Sequence, residues 1–331
     1  MAENNAADRK MNHDRYQRQM ILPEIGISGQ KALEDAKIFV VGAGGLGSAL
    51  LPWLAGAGIG QITLMDHDRV EESNLHRQTL YRTSDIGQYK AQAAKNHLLA
   101  MNPQITIHAV TKFLAPDNAA NYVQDADMII DAADSLAVTY TLSDLCMVYK
   151  KPFISSSVIQ WSGYVGAFCL DGPSYRAVFP EMPQKTQSCS TSGVIGTAVA
   201  TLGSLQAQMS LSYLLKIDPS PMHNLIRYNA KTLQLSKFSF SKAKEPKKVI
   251  PFIGLSQITD QDIVIELRSI EETPQAITAN AMRVSVPNVI SLSLPTDRRI
   301  VLCCRSGIRA AKAASLLGEK GYAHFALMAA G

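Results

Sequence analysis
The chain has 331 residues, 47% of them hydrophobic and 18% charged, so a large core is available and the length exceeds one domain's needs. Its net charge of +4 is too small to indicate nucleic acid. Met1–Asn12 is polar with no signal-peptide core, and the most apolar stretch, Val194–Leu215, is broken by Thr197, Thr201, Ser204, Gln206 and Gln208, so no membrane span is expected.

Taken in order, residues 13–35 are predicted helical, with Tyr16, Met20 and Ile21 on one face. Ile38–Val41 is a buried strand, and a helix opens at Gly44 and runs to about Gly58. Gln61–Asp66 is the second strand, Lys90–Asn102 a helix and Ile105–Val110 a strand. Another strand ends at Asp131, a helix follows through Tyr149, and a short strand begins at Phe153. This rhythm predicts an α/β fold with a Rossmann-like, doubly wound, mostly parallel sheet. Gly163–Leu170 and Leu225–Lys237 read as later antiparallel strands, with the long apolar helix between them.

Ser239–Pro251 is charged and proline-broken, and its Lys242–Lys248 cluster reads as a solvated linker. Beyond it comes a smaller α/β pattern: strands Ile263–Leu267 and Ile300–Cys303, then a helix Arg309–Gly318. The expected division is 1–240, a linker over 241–254, and 255–331. The five cysteines form no disulfide framework, which fits a reducing, cytoplasmic setting, and Cys146 and Cys169 read as packing residues.

Gly42-Ala-Gly44-Gly45-Leu-Gly47 follows the first strand, where the backbone N–H groups of a helix start favour phosphate. Asp66 lies where a ribose contact falls, with Asp68 beside it. Asn74, Arg77, Gln78 and Lys90 add amides and cations that hydride transfer does not need; the cations would neutralise charge on a leaving pyrophosphate. The set therefore points to ATP and adenylation. A dinucleotide-dependent oxidoreductase is the alternative, and it leaves those residues unused. Asp134, at the carboxyl end of a strand, is a natural Mg²⁺ ligand; Asp131 is either a second functional carboxylate or a cap for the following helix.

Tyr16-Gln-Arg18-Gln19, the glycine motif, Asp66, Ser73-Asn74-Leu-His-Arg77-Gln78, Lys90 and Asp131-Ala-Ala-Asp134 resemble the ThiF/MoeB/HesA family, bacterial relatives of ubiquitin-activating enzymes, over about residues 13–237. The resemblance implies ATP-dependent adenylation of the C-terminal glycine of a ubiquitin-fold sulfur carrier ending in Gly-Gly. It implies a homodimer in which Arg18 reaches the partner's phosphates while Arg77 and Lys90 serve their own site. Cys189 matches a position that in some members links covalently to the carrier; the alternative is a semi-buried core cysteine. Where many members carry zinc-binding Cys-x-x-Cys pairs, this chain has Ser174-Tyr-Arg-Ala177 and no pair near Leu214–Asn224, so no structural zinc is expected.

Cys304-Arg305-Ser306-Gly307-Ile-Arg309, between an apolar strand and a helix, resembles the active loop of rhodanese-type sulfurtransferases. A cysteine cradled by N–H groups and flanked by arginines is expected to be a thiolate and to carry a persulfide supplied by a donor such as a cysteine desulfurase. Glu266-Leu-Arg268 replaces that domain's usual Asp-Val-Arg, so a degenerate, docking-only domain stays open as the alternative. Cys303 is expected to face the core. A relative using the same adenylate on a nitrogen substrate is a further alternative.

Overall fold
The computed structural model describes residues 13–183 and 192–330. Five parallel strands open the larger sheet: β1 (Lys37–Val41), β2 (Gln61–Met65), β3 (Thr106–Val110), β4 (Met128–Asp131) and β5 (Pro152–Ile159). The chain then turns back through β6 (Ser162–Cys169), β7 (Asn224–Asn229) and β8 (Gln234–Ser239), all antiparallel. The order is β3-β2-β1-β4-β5-β6-β7-β8, as the doubly wound expectation requires.

Helices cover both faces because β1 and β4 are apolar on both sides and bury every residue but Lys37. Gly45–Ala57, Lys90–Met101 and Gly196–Leu214 lie on one face, with Leu50, Leu54, Leu98 and Leu202 in a common core. On the other face, Pro116–Asp125 and Leu136–Tyr149 contribute Ala119, Val123, Tyr140 and Leu142 to a second core.

A separate parallel sheet follows, built of β9 (Ile263–Glu266), β10 (Met282–Arg283), β11 (Ile300–Cys304) and β12 (Phe325–Ala329), in the order β10-β9-β11-β12. One side of it shares the second core, where Ile265, Leu302 and Leu317 of the helix Ile308–Glu319 meet Ala137 and Tyr140. Its other side holds a small cluster that includes Val264, Val301 and Cys303.

Several sequence expectations need correction. Residues 13–35 are not one helix but a 3-10 turn, His13–Tyr16, and two helices, Gln17–Met20 and Gly26–Asp35. Pro23 supplies no N–H to the intervening turn, and Gly26 has φ +53°. Leu225–Lys237 is split into β7 and β8 by a turn in which the Asn229 side-chain oxygen accepts N–H groups from Lys231 and Thr232. β11 runs one residue past Cys303, so Cys304 ends the strand instead of opening the loop. Cys146, Cys169 and Cys303 are buried, as read.

Candidate active site
β1 lies between β2 and β4, so the connections leave its carboxyl end in opposite directions and open a crevice there. The register sets Val41 beside Asp131, which brings the glycine loop against the loop after β4. Gly42 has φ +101°, and a side chain there would lie 2.5 Å from the Ala132 carbonyl oxygen. A Cβ on Gly47 would sit 2.1 Å from the Gly42 oxygen. These contacts require glycine. Gly44 differs, because a Cβ there would meet nothing nearer than the Gln78 amide nitrogen at 3.8 Å, leaving room for a ligand over the helix start.

Asp66 organises this loop. One carboxylate oxygen accepts the Ala43 N–H at 2.7 Å and the other accepts the Asp68 N–H at 2.8 Å. Burial pushes its carboxyl above the ordinary range, with Lys90 and the two N–H donors opposing. Each oxygen keeps a second lone pair for a ribose hydroxyl. Lys90, 6% exposed, pairs with the half-exposed Asp68 at 2.9 Å. Tyr81 was not foreseen: its hydroxyl donates to the Ala43 carbonyl at 2.6 Å and fixes the glycine loop from below, at a spacing that no short motif reveals.

Asn74 and Gln78 are 7% and 3% exposed, and the side-chain oxygen of each lacks a hydrogen-bond partner. A buried amide oxygen left so costs about 1–3 kcal/mol, which a ligand donor would recover. Arg77, half-buried, donates to the Ser73 carbonyl at 3.0 Å, and the helix start at Gly196 packs against its backbone.

The two aspartates after β4 separate sharply. Asp131 is fully buried and accepts from Thr139 at 2.7 Å, Ser155 at 2.9 Å and the Ala133 N–H at 3.1 Å. Burial pushes its carboxyl up to about 6. It therefore ties β4 to β5 and to the next helix. Asp134 is exposed and makes no hydrogen bond or ion pair among the described residues, so its hard oxygens are free for a cation. Arg18 is exposed and likewise without such a partner. Cys189 lies outside the described residues.

The other cysteine loop stands apart. Cys304 is fully buried, and its sulfur accepts the Gly307 N–H at 3.1 Å. Gly307 has φ +83°, and a Cβ there would be 2.6 Å from the Phe252 ring and 3.7 Å from Ala137. Phe252 and Ile253 pair alongside β12 through Leu327, which donates to the Pro251 carbonyl and accepts from Ile253, both at 2.9 Å. The strap 250–253 therefore covers the loop and presses it towards the helix that begins just after Asp134. Arg305 is exposed, Ser306 is half-buried, and Arg309 is bound by Glu272.

At the position of Ser174–Ala177 the structure holds polar contacts. The Ser174 N–H and hydroxyl donate to the two Glu245 oxygens at 2.7 and 2.6 Å. Arg176 forms a two-pronged pair with Asp144 at 2.6 and 2.8 Å, and donates to the Ile250 carbonyl at 3.3 Å. These contacts fasten Glu245 and Ile250 to the segment after β6 and, through Asp144, to the helix Leu136–Tyr149.

A doubly wound fold with a glycine cradle, unpaired buried amide oxygens and a free carboxylate at the switch point defines a nucleotide-binding α/β enzyme. The model described as "ThiF family" matches residues 16–249, and the chain belongs to that family. It is 40% identical over 225 residues to the sulfur carrier protein adenylyltransferase of Thermus thermophilus, covering 66% of this chain and 83% of that one. It is 29% identical over 347 residues to the probable adenylyltransferase/sulfurtransferase MoeZ of Mycobacterium tuberculosis, covering 93% and 88%. The adenylyltransferase and sulfurtransferase MOCS3 of Culex quinquefasciatus matches at 40% over 215 residues, 63% of this chain and 49% of that longer protein. Among solved structures, E. coli MccB with ATP aligns at TM-score 0.60 and 20% identity over 70% of this chain and 72% of that one, and PaaA at 0.61 and 19% over 72% and 86%. Those structures speak for the fold. By kinship the chain is an enzyme of the adenylyltransferase class. Among the described residues no helix is long and apolar enough to cross a membrane.

Proposed function
We propose that residues 1–240 adenylate the C-terminal glycine of a ubiquitin-fold sulfur carrier, and that residues 255–331, joined through 241–254, then supply sulfur to it in the cytoplasm. What supports this reading is a set of features on the first sheet: open space over Gly44 beside Gln78, the unpaired buried oxygens of Asn74 and Gln78, Lys90 paired with Asp68, and the exposed, unpaired carboxylate of Asp134 after β4.

In this reading the N–H groups of Gly44, Gly45 and Gly47 hold phosphate, and Asp66 accepts from the ribose. Asn74 and Gln78 accept from the nucleotide. The carrier carboxylate attacks the α-phosphorus, the bond to the β-phosphate oxygen breaks, and pyrophosphate leaves. Arg77 and Lys90 neutralise the charge that grows on it, joined by Arg18 from a second copy. A magnesium ion bound to Asp134 would add charge neutralisation on the phosphates. No side-chain nucleophile is needed, since positioning does the work.

Cys304 would then carry a persulfide received from a donor such as a cysteine desulfurase, and its terminal sulfur would attack the activated carbonyl and expel AMP. A second thiol, with Cys189 as one candidate, would attack the Cys304 sulfur of the resulting acyl disulfide, so that the thiocarboxylate leaves with the electron pair and a disulfide to Cys304 remains for an external thiol to reduce. Joining both centres in one chain raises the effective concentration of the second reactant.

Intact-mass spectrometry of a Gly-Gly carrier tests the sequence of steps: wild type should yield thiocarboxylate, and Cys304→Ala should stop at the adenylate. A thiocarboxylate formed equally well by Cys304→Ala would favour a second reading, a docking-only C-terminal unit. Complete burial of Cys304 is the observation on that reading's side.

A further inference from the structure
The backbone of Ala43 is held from both ends by side chains of other segments. Its N–H donates to Asp66 at 2.7 Å, and its carbonyl accepts the Tyr81 hydroxyl at 2.6 Å. No other donor reaches this carbonyl among the described residues. Tyr81 is 4% exposed and lies 38 residues beyond Ala43, between Gln78 and the helix that begins at Lys90. Its hydroxyl oxygen is also 3.3 Å from the Lys90 carbonyl, so one phenol touches both the glycine loop and the start of that helix. A phenol has a single proton to give, and the shorter contact, to Ala43, takes it.

The direction of the next donor follows from the peptide bond. The Ala43 carbonyl and the Gly44 N–H belong to one planar trans peptide, in which C=O and N–H point opposite ways. Fixing the carbonyl on Tyr81 therefore fixes the Gly44 N–H on the far side. That N–H has no acceptor among the described residues, and a Cβ on Gly44 would meet nothing nearer than the Gln78 amide nitrogen at 3.8 Å. A backbone donor turned into open space at the start of a 13-residue helix is set for an anion. Without the phenol the peptide is free to rotate and give its carbonyl to water, and the N–H turns with it.

The phenol is also a permanent donor. Burial, followed by the carboxylates of Asp66, Asp85 and Asp68, pushes its ionisation far above the ordinary range, so it keeps its proton at every working pH.

We propose that Tyr81 is a positioning residue for the nucleotide: its hydroxyl, acting through the Ala43–Gly44 peptide, aims the Gly44 N–H at the phosphate chain of ATP. This rests on the reading of the glycine loop as an ATP site.

The test compares Tyr81→Phe with wild type in the full chain, by calorimetric titration with ATP and with adenosine and by the ATP dependence of carrier-supported ATP–pyrophosphate exchange. Adenosine has the base and ribose but no phosphate. Loss of the hydroxyl should weaken ATP binding about tenfold, the order expected for one hydrogen bond, and leave adenosine within about twofold of wild type. KM for ATP should rise by the same factor while kcat stays within about twofold, because this N–H grips the ground state and the transition state alike. An equal loss of ATP and adenosine affinity would make Tyr81 a support of the whole pocket and overturns the proposal. Unchanged ATP affinity overturns it too, as does a fall in kcat alone, which would place the action of Tyr81 at Lys90. Wild type that binds no ATP removes the nucleotide reading itself, a distinguishable result that takes the proposal with it.

Discussion

Replacing Asp131 by asparagine isolates the cost of a buried carboxylate beneath the nucleotide loop. Three donors, from Thr139, Ser155 and Ala133, stabilise the charge, but complete burial outweighs them and raises the carboxyl from 3.8 to about 6. The folded state thus holds this proton more tightly than the unfolded chain. The stabilisation that follows is full below pH 3.8, declines as pH rises, and is gone above about 6. Two units correspond to about 3 kcal/mol. The substituted amide would not titrate, although it would mismatch one donor at a cost that does not vary with pH. The difference in unfolding free energy between Asp131→Asn and wild type should therefore shift by about 3 kcal/mol in favour of the variant between about pH 3.5 and pH 7. Urea unfolding at several pH values reads this directly. Parallel profiles for the two proteins would refute the burial argument.

Lys90→Met, which keeps the buried stem and removes the charge facing Asp68, should lower ATP–pyrophosphate exchange by about a hundredfold or more with little change in melting temperature. Phe252→Ala should expose Cys304 to iodoacetamide at an increased rate; it should also cost about 3 kcal/mol of stability, which urea unfolding would register. Glu245→Ala removes both acceptors of Ser174, so limited proteolysis should cut within 241–254 faster than in wild type.

The central strands were legible because β1, β2 and β4 are short apolar runs bounded by glycine or aspartate, a pattern that only a buried parallel sheet explains. The helix Pro116–Asp125 was missed: it is only ten residues long and buries only Ala119 and Val123. β12 was missed because its apolar run is only five residues long and finds its partner only by pairing with β11. At the site, the order of motif residues announced the nucleotide. Neighbours could not reveal that Asp131 is buried and Asp134 exposed, since burial against Ser155 depends on β5, more than twenty positions away. The charge pairs were hidden for the same reason: Glu272 and Arg309 are 37 residues apart, and Ser174 and Glu245 are 71 apart.

The most direct test of the central claim is ATP–pyrophosphate exchange with ubiquitin-fold carriers ending in Gly-Gly. Exchange that depends on the carrier, is abolished by Asp134→Ala and is retained by Cys304→Ala is the predicted result. Absence of exchange with every such carrier, from protein that binds ATP, would contradict the account.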